Sequence, residues 1–250
     1  MRISTVTVLA TALAGALGAS APAYAVTFAD YAATGTGDNI QWTQSASGTS
    51  GVLSNTAGAS VSFQFLTPSL SGLGVLPATF TYSATAPAND PAVSAGGYLI
   101  QPNLSGSFSF VYTGPGFTSG GHNYGAGATL LSGAFTGTDI IGKSGSSAGN
   151  VNDATLTGGT ITFSSPLLSF GSGDRSYSIE MTSIAFPLGA GAGNSLNSFG
   201  AVSTGSFEAA ITGGGNQGVP EPATWALMIV GVGCIGLALR RRSAAELAAG

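Results

Sequence analysis

The chain has 250 residues, of which only 6 % are charged and 40 are glycine, whereas about a quarter of an average soluble domain is charged. Its 44 % hydrophobic content and 13 phenylalanines argue against a disordered chain, since so many large apolar groups can bury a core. A net charge of −4, with the arginines gathered at the C-terminal end, argues against nucleic acid as a partner and against docking on anionic lipid.

Residues 1–25 read as a secretory signal peptide. Arg2 supplies the positive start, Ile3 to Leu17 an apolar stretch diluted by threonine, and Ala23-Tyr24-Ala25 the small-x-small cleavage site. The competing reading, an N-terminal membrane anchor, needs a longer and more apolar run. Signal peptidase is therefore expected to cut after Ala25, leaving Val26 as the first mature residue. Exported proteins commonly carry disulfides, yet the single cysteine, Cys234, falls outside the central body. Packing and hydrogen bonds must hold that body together.

The body, residues 26–212, alternates apolar and polar residues in short runs, the strand signal. Val61, Phe63 and Phe65 alternate with Ser62 and Gln64; Phe80 and Tyr82 with Thr79, Thr81 and Ser83; Phe108, Phe110 and Tyr112 with Ser107 and Ser109. Ile161 and Phe163 lie between Thr160, Thr162 and Ser164, and Tyr177, Ile179 and Met181 face away from Ser176, Ser178 and Glu180. Phe207, Ala209 and Ile211 end the series. Weaker strands are expected at Val26–Tyr31, Ile40–Thr43, Thr129–Phe135, Thr155–Leu156, Leu167–Phe170 and Phe199–Thr204, with glycine-, asparagine- and serine-rich turns between them. Such alternation places aromatics on one face and hydroxyls on the other, which suits an antiparallel sheet. The expected fold is all-β: an antiparallel two-sheet sandwich of jelly-roll or Greek-key kind. A β-solenoid would need a fixed repeat, and the Thr-x-Thr pairs recur at no common spacing.

Gly213 to Gly218 form a flexible glycine-rich spacer. From Val219 the chain reads Val-Pro-Glu-Pro-Ala-Thr-Trp-Ala, then continues without a charge to Leu239 and ends that run in Arg240, Arg241 and Arg242. Residues 223–239 are long enough for a short transmembrane helix; a buried core helix is the competing reading. Trp225 marks the outer interface, and the three arginines hold the other end, with the 243–250 tail, in the cytoplasm. The cleaved signal and the arginines then give one topology, body outside. Pro220 and Pro222 fix the backbone around Glu221 in a rigid extended element that an enzyme groove can read.

Pro220, Glu221, Pro222, Trp225, Ala226, the apolar span and the arginine cluster together resemble the PEP-CTERM sorting domain in its PEPxxWA form, over residues 219–242. The resemblance implies recognition of Pro220-Glu221-Pro222 by exosortase, an integral-membrane enzyme of Gram-negative bacteria that make exopolysaccharide. It also implies that the span is a transient inner-membrane anchor and that Arg240 to Arg242 orient it. The family usually ends at its basic cluster, whereas this chain continues to Gly250.

Chemistry in the body is sparse. Between Val26 and Gly218 two basic residues, Lys143 and Arg175, stand against eight acids, leaving −6. The single histidine, His122, sits in Gly120-Gly121-His122-Asn123-Tyr124-Gly125 without a nucleophile elbow elsewhere, and reads as an exposed loop residue. One histidine and no cysteine give zinc no ligand set. Asp139, Asp153, Asp174 and Glu180 are the candidates for a glycosidase pair, although solvated turn residues are the stronger reading, since each sits beside Gly, Ser or Thr. Asp38-Asn39 and Asn150 to Asp153 offer oxygen ligands for calcium, without a calcium-loop spacing. Trp42, Tyr98, Tyr112 and Tyr124 suit sugar stacking or core filling. The expectation is a secreted, non-enzymatic envelope or extracellular-matrix protein in an exopolysaccharide or biofilm setting, with no required cofactor. The alternatives are an extracellular carbohydrate-active enzyme with a carboxylate pair and a polysaccharide- or ice-binding module.

Overall fold

The computed structural model describes residues 25–56, 58–152, 158–191 and 193–213. The alternating runs become strands because their apolar phase is buried and their polar phase faces water. The strands are β1 (Val26–Ala33), β2 (Ile40–Gln44), β3 (Gly51–Asn55), β4 (Ser60–Phe65), β5 (Val75–Ala86), β6 (Val93–Ala95) and β7 (Tyr98–Tyr112). They continue as β8 (Phe117–Ser119), β9 (His122–Tyr124), β10 (Thr129–Lys143), β11 (Gly149–Asn152), β12 (Thr160–Ser164), β13 (Ser169–Thr182) and β14 (Phe199–Gly213). Every pairing between them is antiparallel. Among the described residues the helical element is a single 3-10 turn, Ser71–Leu73, and no helix is long and apolar enough to cross a membrane. The expected signal peptide and the 223–239 helix lie outside the described residues.

The hydrogen bonding differs from two separate sheets. Twelve strands form one sheet, with β8 and β9 apart as a two-stranded hairpin. The pairings run β1–β4–β5–β7–β10–β11–β13–β14 and return to β1, a closed circuit that leaves these strands few free edges. Strand length makes this closure work. β5, β7, β10, β13 and β14 have 12 to 15 residues each, and all of these except β13 serve two partners in succession along one edge. Thus β14 meets β2 through residues 199–201 and β1 through residues 204–209. β5 likewise meets β4 and then β3. Bulges supply the bending: the register of β10 shifts between Phe135 and Thr138, where Gly137 takes a left-handed φ of 67°.

The facing walls nevertheless pack as sandwiched sheets do, through interdigitating rings. Phe108 of β7 meets Phe207 of β14 at 5.0 Å, Phe110 meets Tyr31 of β1 at 5.0 Å, and Tyr82 of β5 meets Phe135 of β10 at 5.5 Å. Buried tyrosines need hydroxyl partners, and they find them in the core. Tyr31 shares a hydrogen bond with Ser203 at 3.1 Å, Tyr82 with Tyr177 at 3.3 Å, and Tyr177 donates to Thr138 at 3.3 Å.

One end of the circuit is covered by the connection between β13 and β14. Ile184, Leu188 and Leu196 are buried there. Its backbone is tied to the 146–147 turn (Ile184 N–H to Ser147 O 2.9 Å, Leu188 N–H to Ser146 O 3.0 Å) and to Gly48 O by Ser195 N–H at 3.0 Å. The Trp42 indole donates to Leu196 O at 2.9 Å.

Two pairs of expected strands are single strands. Leu167–Phe170 and Tyr177–Met181 fall in β13, which begins at Ser169, and Phe199–Thr204 and Phe207–Ile211 are one β14. Gly205 lies between the latter two, paired with Tyr31 and Ile179, where the ring of Tyr31 and the backbone of Ser178 crowd the place a side chain would take. β3, β6, β8, β9 and β11 were not expected, and Thr155–Leu156 lies outside the described residues.

Candidate functional site

Of the four carboxylates singled out by sequence, the three among the described residues do not converge. Asp139 is fully buried in β10, not a solvated turn residue, and its Oδ1 accepts from Asn103 N–H at 3.3 Å. Asp174 is exposed in β13, at the register shift between Phe170 and Arg175. Glu180 is exposed further along β13. Asp153 lies outside the described residues.

Glu180 instead belongs to a polar outer wall that the topology assembles. In antiparallel register, directly opposed residues point to the same face. Gln64 of β4, Asp30 of β1, Ser206 of β14, Ser178 of β13 and Asn152 of β11 therefore form one row across five strands. A second row, two residues along, runs Ser62, Ala32, Thr204, Glu180 and Asn150, then reaches Ile141 of β10 and Ile100 of β7. Beside them Thr27, Glu208 and Ser176 make a third, shorter row. The Glu208 carboxylate accepts from the Thr27 hydroxyl at 3.1 Å and the Ser176 hydroxyl at 3.0 Å.

Two larger hollows, both bordered by Glu180, lie in this wall beside a smaller one of about 280 Å³ bounded by Asn152, Ser176, Ser178, Ser206 and Glu208. The first of the larger two, of about 380 Å³, is bounded by Asp30, Ser62, Gln64, Glu180 and Thr204. The other, of about 400 Å³, is bounded by Glu180, Asn150, Lys143, Thr182 and Tyr98. Partial burial in the first hollow raises the Asp30 carboxyl above its ordinary value, because desolvation disfavours the charged form. Chemically, the wall presents hydroxyls, amides and carboxylates as fixed hydrogen-bond partners.

The aromatic candidates separate cleanly. Trp42 and Tyr112 are core residues, whereas Tyr98 is 51 % exposed. Tyr124 stacks on Phe117 at 5.2 Å within the β8–β9 hairpin. His122 is exposed, yet it lies in β9 opposite Ser119 and not in a loop. The left-handed glycines at 120 and 121 make the tight turn that lets its flanks pair.

The two calcium-type stretches are not open ligand turns. Asn39 is buried, and its Oδ1 accepts from Ser203 N–H at 2.7 Å. Asn150 and Asn152 flank the buried Val151 in β11, which pairs on both sides. No group of three or more His, Cys, Asp or Glu placed to hold a metal occurs among the described residues. Asp30 and Glu208 were missed by sequence reasoning except as charges. Glu208 alternates with Phe207 and Ala209, which marks it as outward, but nothing local shows that it shares a wall with Glu180.

Ala25 is exposed just before β1, which begins at Val26. Ala23, Pro220, Glu221, Pro222, Trp225, Ala226 and Arg240 to Arg242 lie outside the described residues. Fold and wall thus define an all-β, antiparallel body with a polar outer face. Its address is given by the family model described as the PEP-CTERM protein-sorting motif, which matches residues 218–242. The chain carries that motif, which implies an extracellular protein sorted by exosortase and directed toward the cell envelope or surface. Neither a curated protein nor a solved structure matches the chain.

Proposed function

We propose that this is a non-enzymatic protein of the cell envelope or extracellular matrix that works in association with exopolysaccharide, in a biofilm setting. The observation that carries the reading is the register of the polar wall, which sets hydroxyl, amide and carboxylate groups of β4, β1, β14, β13 and β11 in line. Such groups exchange hydrogen bonds with sugar hydroxyls at a mostly preformed surface. In this reading residues 223–239 anchor the protein transiently in the inner membrane, with the body outside and Arg240 to Arg242 inside. Exosortase acts at Pro220-Glu221-Pro222, and the glycine-rich spacer gives it access.

Co-sedimentation of the exported protein with the exopolysaccharide of its host tests the association, and absence of binding would remove it. Replacing Glu221 and Pro222 by alanine is expected to leave the protein unprocessed in the membrane fraction. Unchanged processing would refute the sorting role given to those residues. Turnover of the polysaccharide, abolished by Asp30→Asn or Glu180→Gln, would make the protein an enzyme instead.

A further inference from the structure

We propose that the polar wall is a groove for a linear polysaccharide bearing free amines, lying across the strands from Gln64 to Tyr98. This rests on the reading of the body as a polysaccharide-associated module and names its ligand. The two larger hollows adjoin at Glu180, and the register rows on which they lie run across the strands. Neighbouring strands are ~4.8 Å apart, which presents about one side chain per sugar to an extended chain crossing them.

Charge selects the ligand. Asp30 and Glu180 border these hollows and Glu208 stands on the adjoining row, whereas Lys143 is the one basic residue lining either hollow among the described residues. Complementary potential attracts protonated amines and repels uronate or sulfate polymers. Hydroxyl donors from Thr27 and Ser176 hold the Glu208 carboxylate in place, so this part of the charge is set before any ligand arrives. At the far end Tyr98, 51 % exposed, offers a ring on which the C–H face of a pyranose can pack, with Asn150 and Lys143 beside it.

The test is calorimetric titration of the exported protein with soluble glucosamine oligomers (chitosan type) at mildly acidic pH. The same oligomers after full N-acetylation, and alginate as a polyanion, serve as comparisons. Glucosamine oligomers are expected to bind, more weakly as salt rises. Glu180→Gln and Tyr98→Ala should each weaken binding roughly tenfold. Both side chains are exposed, and an unchanged thermal transition verifies that the variants fold. Equal binding of the N-acetylated oligomers, tighter binding of alginate, or indifference to both substitutions overturns the proposal. If the host exopolysaccharide still binds in those cases, the association survives without the amine preference. If no polysaccharide binds, the host's included, both fall.

Discussion

Val26 of β1 lies directly opposite Ala209 of β14, so the first and last strands of the body close the sheet against each other. The seam between them is reinforced from inside, where the hydroxyls of Tyr31 and Ser203 meet at 3.1 Å. Tyr31→Phe should remove that bond and leave a buried Ser203 hydroxyl to be re-satisfied, costing about 1 kcal/mol. Denaturant unfolding monitored by circular dichroism measures it. Deleting Val26–Ala33 should be far more severe, because it strips the paired edges of both β4 and β14. Aggregation and loss of a cooperative transition are expected, and a sharp transition in the deletion variant would show that closure is dispensable.

The indole of Trp42 lies where a side chain at position 51 would have to go. Gly51→Ala should therefore force the ring to shift, at a cost of about 1–3 kcal/mol. Trp42→Phe should act differently. It keeps an apolar ring but frees Leu196 O from its indole donor, loosening the connection that covers this end of the fold. Hydrogen exchange at Ile184 and Leu188 is expected to quicken while the long strands stay protected.

Tyr31 and Tyr82 are buried, and burial pushes both phenols well above the ordinary value of 10.0. The unfolded chain releases those protons near that ordinary value while the folded state retains them. The folded state thus binds more protons above pH ~10, and stability falls as pH rises there. An alkaline titration should show folded protein with these tyrosines neutral, then unfolding together with a step in tyrosinate absorbance. A smooth titration of all tyrosines before any unfolding would contradict this.

Asp30 gives an acid-side counterpart with the same sign. Its raised folded value means that the folded state holds the proton more tightly than the unfolded chain. Its contribution is therefore fully present below the usual aspartate value and is lost as pH rises through the folded value. Asp30→Asn should remove this dependence and leave the protein at least as stable at neutral pH. Melting temperatures of the two proteins across the acidic range compare them directly, and a destabilised Asp30→Asn at neutral pH would count against the desolvation argument.

Much of the local structure was legible in the sequence. The alternation around Phe63, Phe80, Phe110, Phe163, Tyr177 and Phe207 marked six strands and their buried phase, because a side-chain period of two is a property of the strand itself. It could not show that β13 and β14 each run through the expected gaps, since a glycine such as Gly205 reads locally as a break. It also left the outer wall unassembled: Asp30, Glu180 and Glu208 are far apart in the chain and come together only where β1, β13 and β14 pair.

The address in residues 218–242 was written in sequence alone, because the sorting motif is matched by the order and spacing of its residues. The strand character and antiparallel class of the body were likewise set by periodicity. Closure was decided by tertiary structure: whether long strands form two sheets or one circuit depends on partners distant in the chain. The same pairing chose which polar residues share a wall, buried Asp139 and exposed Tyr98. Register between distant strands is a global property, and it governs every side-chain neighbour that a local pattern leaves open.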